Sequence, residues 1–313
     1  MKKFTLILFT IIISLTAFAQ DDMLSMMQKE MPSKASPVFA TFKSTRIVNL
    51  QSNETMKKKQ LDFRIQHRFS PTNINKDNVY GLYDMFGLDG AKMRLSLDYG
   101  ITDKIMVGAG RTNGGMYDLS VKAKLFEQKT KGKGTFPVSI DYFTNVGINT
   151  TTWADNSRQN FFTSRLTFVH QLIFARKFNE WISFAITPTV VHHNLVYNSS
   201  VPNDIYAIGV GASIKMTRST RFNIEYISRL NGRDQPVALD GSGATYFDSF
   251  AIGFDIETGG HVFQLHFANS QGLIEQQFIT ENTTKLDFKN FAFRLGFNIS
   301  RTFSMEKSTV PKN

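Results

Sequence analysis

The sequence predicts an all-β protein, a transmembrane antiparallel up-and-down β-barrel of about 12 strands with a short N-terminal helical or plug segment. The clearest observation is the strict alternation over residues 290–303. One parity carries Phe291, Phe293, Leu295, Phe297, Ile299 and Phe303, and the other carries polar or small residues. Successive strand side chains point to opposite faces, so this strand has one apolar face. Similar alternation recurs along the chain, as expected for a barrel with lipid outside and a polar interior.

Composition agrees with such a barrel. Only 42% of the 313 residues are hydrophobic, because a barrel needs apolar side chains on one parity alone. Aromatic residues make up 13%, including 29 phenylalanines, which suits lipid contact and interfacial girdles. The formal net charge of +10 does not indicate nucleic acid as a partner, because an exported barrel meets lipid phosphates and small anions instead.

The N-terminus predicts a cleaved secretory signal peptide, residues 1–19. Lys2 and Lys3 precede an apolar run over residues 6–15, and Ala17-Phe18-Ala19 forms a small-x-small cleavage site. The run is shorter than the roughly 20 apolar residues that a spanning helix needs. Export of a β-barrel in this way indicates the outer membrane of a Gram-negative bacterium.

Residues 20–37 show no strand pattern and predict a linker or short helix. Met23, Met26, Met27 and Met31 have helix-like spacing. Thioether sulfur is also a ligand for copper(I), but a helix on or inside the barrel mouth is the preferred interpretation. The barrel itself is predicted over residues 38–303, followed by a periplasmic tail over residues 304–313.

Thirteen segments have the pattern of a strand. They cover residues 39–50, 60–70, 91–99, 105–111, 117–126, 136–149, 161–175, 181–196, 205–217, 222–230, 247–256, 262–269 and 290–303. An exported barrel with both termini in the periplasm needs an even number of strands. Either residues 39–50 are periplasmic or lumenal and the barrel has 12 strands, which is the preferred reading, or residues 80–88 hide another strand and it has 14.

Loop lengths predict the orientation, because such barrels keep short turns in the periplasm and long loops outside. Short connections lie at residues 100–104, 176–180, 218–221 and 257–260, and long ones at 150–160, 231–246 and 270–289. The loop Gln271–Thr284 mixes apolar and polar residues. It is expected to fold into the lumen as a constriction or to contact a partner.

Four stretches resemble an uncharacterised family of bacterial outer-membrane β-barrel proteins. They are Thr41-Phe42-Lys43-Ser44-Thr45-Arg46, residues 61–69, Phe86-Gly87-Leu88-Asp89 and residues 99–104. The resemblance covers most of the mature chain and implies a fold and a location, but no activity. The last strand is similar to the aromatic-ended signal of the barrel-assembly machinery, although ten residues follow Phe303. Expected partners are therefore that machinery, outer-membrane lipids and small anionic solutes.

Charges gather on the parity opposite the apolar one and are expected to line the lumen. The candidate lumen-lining residues are Asp62, Arg64, Arg68, Arg94, Asp98, Lys122, Lys124, Asp141, Lys215, Glu225, Arg229 and Arg294. Because cations outnumber anions among the inward charges, the field favours anions, and the function predicted is a narrow channel for small solutes. The alternative is a non-conducting barrel, acting as a scaffold or surface receptor through its outer loops.

No catalytic residue, metal site or cofactor is predicted. A lipid hydrolase needs a nucleophile beside a base, but Ser164 and His170 are six residues apart on one strand, about 20 Å. His192 and His193 are adjacent and point to opposite faces, so they cannot chelate one ion. Inward glycines could open room beside a ligand, but strand curvature is the preferred interpretation; they are Gly108, Gly110, Gly209, Gly211 and Gly253.

Overall fold

Twelve β-strands form a closed antiparallel barrel in the computed structural model. It describes residues 35–71, 90–129, 132–153, 156–157, 159–196, 201–232, 246–286 and 293–306. The predicted signal peptide, the four methionines and residues 80–88 lie outside these ranges. No helix within them is long and apolar enough to cross a membrane.

Each strand pairs with its neighbours in the chain, and the first strand pairs with the last. The strands are β1 Gln60–Arg68, β2 Lys92–Gly100, β3 Ile105–Thr112, β4 Met116–Phe126, β5 Ser139–Asn149, β6 Leu166–Lys177, β7 Ile182–His193, β8 Asp204–Lys215, β9 Thr220–Arg229, β10 Ser249–Thr258, β11 His261–Ala268 and β12 Arg294–Ser304. A 3-10 helix covers Phe162–Arg165, and one α-helix, α1, covers Glu275–Thr280. The predicted 12-strand barrel is confirmed.

The parity of the strands sets their two faces, as β2 illustrates. Leu95 and Leu97 are 42% and 47% exposed on the outer surface. Arg94 and Asp98, which alternate with them, are 3% and 9% exposed and point inward. This is the pattern that lipid outside and polar groups inside require.

The two ends of the barrel differ in their connections. One end, called the turn end, carries the short turns at residues 101–104, 178–181, 216–219 and 259–260, and also Gln60 and Ser304. The other, called the loop end, carries the long connections between β5 and β6, β9 and β10, and β11 and β12. The predicted short and long connections therefore segregate as expected.

Residues 41–50 lie inside the barrel, and residues 39–50 form none of its strands. Their apolar residues Phe42, Ile47 and Leu50 do not keep one parity, so no single face suits lipid. Residues 44–52 fold back as a short hairpin, the lumenal hairpin, in which the Ile47 N–H donates to Leu50 O at 2.8 Å. Ala40 and Lys59, on either side of it, have φ of 53° and 60°, the left-handed region that non-glycine residues rarely adopt.

The main apolar core also lies inside the barrel. It joins wall residues of β5 to β9, residues before and in the lumenal hairpin, and two residues of α1: Phe42, Ile47, Leu50, Phe143, Val169, Ile173, Ala175, Ala185, Val191, Ile205, Ala207, Ile227, Phe278 and Ile279. Sequence parity did not predict this core, because an interior polar throughout was expected. A partial signal was present in β6, where Val169, Ile173 and Ala175 lie on the inward parity.

Candidate functional site: the occluded lumen

The structure places all twelve predicted lumen residues on the inner side of the wall. Nine are buried, with at most 9% exposure: Asp62, Arg64, Arg68, Arg94, Asp98, Lys122, Asp141, Glu225 and Arg229. Lys124 and Lys215 are half-buried at the turn end, and Arg294 is half-buried at the loop end. Whether these residues line a conducting passage stays a prediction.

Glu225 of β9 holds the tip of the lumenal hairpin. Its carboxylate accepts hydrogen bonds from the backbone N–H groups of Val48, Asn49 and Leu50 at 3.1, 2.8 and 3.0 Å. Consecutive N–H groups that converge in this way form a nest for an anion. Here the anion is a side chain of the wall, so the hairpin tip is fixed near mid-depth of the barrel.

Lys122 of β4 binds the two arms of the hairpin from the other side. Its ammonium group donates to the carbonyl oxygens of Thr45, Ser52 and Glu54 at 2.9, 3.0 and 3.2 Å. The side chain is fully buried, and these three acceptors use all three of its donors. Lys122 therefore closes the base of the hairpin as Glu225 fixes its tip.

Two arginines of β1 add side-chain contacts to the hairpin. Arg64 donates to Thr45 Oγ1 at 2.6 Å and pairs with Asp62 at 3.0 Å. Arg68 donates to Asn49 Oδ1 at 2.9 Å. Three of the predicted lumen cations thus bind the chain's own hairpin.

Two inward glycines of β8 leave room for the apolar side of the hairpin. A Cβ at Gly209 would lie 2.6 Å from Leu50 Cδ2, and one at Gly211 would lie 2.5 Å from Ile47 Cδ1. A larger residue at either position would therefore collide with the hairpin. The prediction of strand curvature missed this packing role.

The loop before β12 folds into the lumen from the loop end. This is one of the two arrangements expected for Gln271–Thr284, the other being contact with a partner. Within α1, Phe278 and Ile279 are buried in the main core, and Arg229 donates to Thr280 O at 3.1 Å. Glu275 is fully buried and faces the hairpin.

The hairpin and α1 meet at a buried ion pair. Arg46 Nη1 lies 2.8 Å from Glu275 Oε1, and Gln51 Nε2 donates to the same oxygen at 2.7 Å. The two segments enter the barrel from opposite ends, so this contact joins the turn end to the loop end. Sequence reasoning could not place it, because strand parity does not show how a segment inside the barrel folds or which side chains it meets.

The fully buried charges are balanced, and the half-buried Lys124, Lys215 and Arg294 add cations to the inner face. Among the described residues, seven buried cations face seven buried anions. Three of the buried wall charges lie outside the twelve candidates: Asp118, Arg221 and Asp255. Asp118 forms a bidentate pair with Arg94, at 2.9 and 2.5 Å. Asp118 has the same parity as Lys122, and this is the sequence signal that could have added it to the candidates.

The outer surface of β5 and β6 carries a polar contact that bears on the hydrolase alternative. His170 Nδ1 lies 2.7 Å from the Tyr142 hydroxyl and 3.3 Å from Thr144 Oγ1. Ser164 lies in the 3-10 helix at the loop end. Within the described ranges, no group of three or more His, Cys, Asp or Glu side chains is arranged to hold a metal ion.

Solved structures with the same architecture are outer-membrane barrels. The COG4313 outer membrane channel from Pseudomonas putida F1 is 14% identical, with 80% of this chain and 98% of that chain covered and a TM-score of 0.52. The NanC porin and the KdgM porin, both 9% identical, cover 78% and 79% of this chain and 100% and 99% of their own, with TM-scores of 0.46 and 0.43. At 14% identity the likeness to the COG4313 channel shows the fold alone.

No curated protein matches the sequence. A family profile does: the membrane bound beta barrel domain DUF5777 matches residues 42–303, which include the lumenal hairpin and all twelve strands except the last residue of β12. The chain therefore belongs to the DUF5777 family of membrane-bound β-barrels.

Proposed function

We propose that this protein is an outer-membrane channel for small, preferentially anionic solutes, and that the lumenal hairpin is its gate. One observation carries the proposal. The lumenal hairpin covers a charged part of the barrel wall and is held there mostly by polar contacts. Glu225, Lys122, Arg64 and Arg68 all bind the hairpin through hydrogen bonds. Water can replace each of these bonds if the hairpin leaves.

The energetics of buried charge support a state with a hydrated lumen. A permanently filled barrel has no need of charged walls, because replacing buried ion pairs by apolar residues is often neutral or stabilising by about 1–4 kcal/mol. Fourteen buried charged side chains, seven of each sign, are thus expensive in the closed state. They are useful when the lumen conducts ions or polar solutes.

Anion preference would come from the turn-end mouth, because the buried charges cancel. Lys124, Lys177 and Lys215 are half-buried on strand ends there. Their field would concentrate anions at the opening. Replacing Lys124 and Lys215 by glutamine should move the reversal potential in a salt gradient toward cation preference.

Orientation and location follow from the same reasoning. Short turns and both barrel termini at one end indicate that the turn end faces the periplasm, so the hairpin would withdraw to the periplasmic side. Insertion by the barrel-assembly machinery and cleavage after residue 19 belong to this proposal.

A disulfide staple tests the gate, since the chain has no cysteine of its own. The two methyl carbons of Leu50 lie 2.6 and 3.1 Å from the position of a Gly209 Cβ, so cysteines at 50 and 209 come within bonding reach. We expect single-channel currents of the Leu50→Cys/Gly209→Cys protein to be silent when oxidised and to show openings after reduction. The single-cysteine variants, under the same oxidant, should conduct in both conditions. If the folded wild type and the reduced double-cysteine variant both showed no single-channel current, the channel proposal would be refuted.

The second candidate, a non-conducting scaffold or receptor, has one observation in its favour. Ile47 and Leu50 of the hairpin and Phe278 and Ile279 of α1 share one apolar core, as a permanent plug would. A scaffold would act through its outer loops. Deleting residues 285–292 would then abolish partner capture and leave permeability unchanged.

A further inference from the structure

A cavity lies at the turn-end mouth, between the barrel wall and the chain on both sides of the lumenal hairpin. Its volume is about 40 Å³, and it is called the mouth cavity. Its lining comes from the chain before the hairpin, the chain after it, β4 and β5: Pro37, Val38, Phe39, Asn53, Glu54, Lys124, Glu127, Ser139 and Asp141.

Asp141 is buried in this cavity without a hydrogen-bond partner. The residue is 1% exposed, and neither carboxylate oxygen has a partner. The nearest ammonium groups are directed elsewhere. Lys122 donates to three carbonyl oxygens, and the Lys124 ammonium lies 3.9 Å from Glu127. A buried carboxylate left in this way carries a large desolvation cost.

The side-chain oxygen of Asn53 is a further buried acceptor in this cavity. It is 6% exposed, and its Oδ1 has no partner, although its Nδ2 donates to Thr41. Three buried acceptor oxygens of Asp141 and Asn53 thus line one cavity. Buried polar groups are normally hydrogen-bonded, so these three oxygens can accept hydrogen bonds from a bound donor.

The strand pairing at this place is irregular. Lys124 stands opposite Asp141, but the register shifts before Phe126 pairs with Ile140. Such bulges re-aim side chains and are common beside functional sites. Lys124 and Asp141 are opposite each other but form no ion pair within the described residues. Both carboxylate oxygens of Asp141 can therefore accept hydrogen bonds from another cation.

We propose that the mouth cavity binds the primary ammonium group of a small alkylamine. An ammonium group has three donors and no acceptor, which matches the three acceptor oxygens. Glu54 and Glu127 add negative charge, and with Asp141 the three carboxylates outnumber the two ammonium groups that act on Asp141, those of Lys122 and Lys124. Pro37, Val38 and Phe39 provide an apolar surface for a short alkyl chain. The carboxylates form no metal-binding group, so a bare metal ion fits less well.

Occupancy would have a structural consequence. The cavity joins Val38 and Asn53, on the two sides of the hairpin, to Asp141 of the wall. A bound amine would therefore tie the hairpin to β5. Binding itself does not depend on whether the barrel conducts, so its test is separate from that of the channel.

The test is a ligand-observed NMR titration of the purified full-length mature protein with butylamine. Butyrate, with the same number of carbons and the opposite charge, is the matched ligand control. We expect saturable binding of butylamine, no binding of butyrate, and at least about tenfold weaker binding by Asp141→Asn, because a charge-assisted hydrogen bond is lost. Glu257→Gln, which removes a carboxylate at the same end outside the cavity, should bind like the wild type.

A second variant keeps the proposal falsifiable if Asp141→Asn fails to fold. Asn53→Leu removes the other acceptor and should also weaken butylamine binding, whereas Lys124→Gln removes the competing ammonium group and should strengthen it. Absence of saturable butylamine binding by the wild type would overturn the proposal. So would equal affinities of the wild type and Asn53→Leu, or saturable binding of Mg²⁺ without butylamine.

Discussion

The two sides of the lumen wall differ in chemistry, and the lumenal hairpin packs between them. Strands β1 to β4 carry seven buried charges: Asp62, Arg64, Arg68, Arg94, Asp98, Asp118 and Lys122. Strands β6 to β8 carry none among the described residues, and their buried side chains are apolar or neutral. One wall suits water and ions, and the other suits an apolar plug.

The hairpin matches each wall with a different set of groups. Its backbone carbonyls and the side chains of Thr45 and Asn49 face Lys122 and the β1 arginines. Its Ile47 and Leu50 side chains pack over the glycines of β8. The hydrophobic contacts of the hairpin therefore stabilise the closed state. The charged side chains of the wall carry a desolvation cost that is relieved when water fills the lumen. A gate needs both, because it must close firmly and still be displaceable.

The largest effect is expected from Glu225→Gln. The substitution removes the negative charge that three backbone N–H groups share and presents an amide donor to them. Breaking such a buried charged contact costs about 3–5 kcal/mol. We expect residues 41–54 to become susceptible to protease and channel openings to become frequent. Glu257→Gln, at the rim, is the control and should leave both readouts unchanged.

Ile173→Ala tests the apolar wall. Ile173 is fully buried on β6, and the cavity left behind should lower the free energy of unfolding by about 2–5 kcal/mol. Leu172→Ala, one position along and 39% exposed to lipid, is the matched control with a smaller loss. Urea unfolding in lipid vesicles measures both. If Ile173→Ala opened the channel as much as Glu225→Gln, the division between the two walls would be wrong.

The contact between the hairpin and α1 should have a measurable coupling energy. In a double-mutant cycle of Arg46→Met and Glu275→Gln, residues in one buried network typically couple by about 0.5–3 kcal/mol. Each single variant should lower the free energy of unfolding more than the double variant does, because it leaves one charge buried and unpaired. Additive effects on unfolding would contradict a direct contact.

The smallest effect concerns the rim. Lys43 forms an ion pair with Glu257 at the turn end, where Glu257 is half exposed. Exposed pairs contribute about 0–1 kcal/mol, and salt screens them. Lys43→Gln should therefore change stability little, and the difference from wild type should vanish at about 1 M salt. A loss comparable to that of Glu225→Gln would show that the rim, and not the tip, holds the hairpin.

Sequence reasoning predicted the wall well because strand parity is a strong signal. The period of two placed Arg64, Lys122 and Glu225 on the inner face from sequence alone. It could not place the hairpin or Glu275, because the position of a segment inside the barrel depends on tertiary contacts. The even strand count was the one argument that put residues 39–50 off the wall.

The sequence was less informative about the interior as a whole. The nine buried candidates are five cations and four anions, and the balance of seven to seven arises when Asp118, Asp255, Arg221, Arg46 and Glu275 are added. The apolar wall was partly visible in β6, whose inward parity carries Val169, Ile173 and Ala175. Apolar residues on both parities are expected of a strand that is buried on two sides, as β6 is between lipid and the main core.

The most direct test of the account replaces residues 44–52 by a glycine-serine segment of equal length. The barrel wall and both chain connections stay intact, and only the contacts of the hairpin are lost. We predict steady single-channel currents with anion preference from this variant, where the wild type is mostly closed. Silence from a variant that is shown to be folded in the bilayer would contradict the claim that the hairpin is the gate.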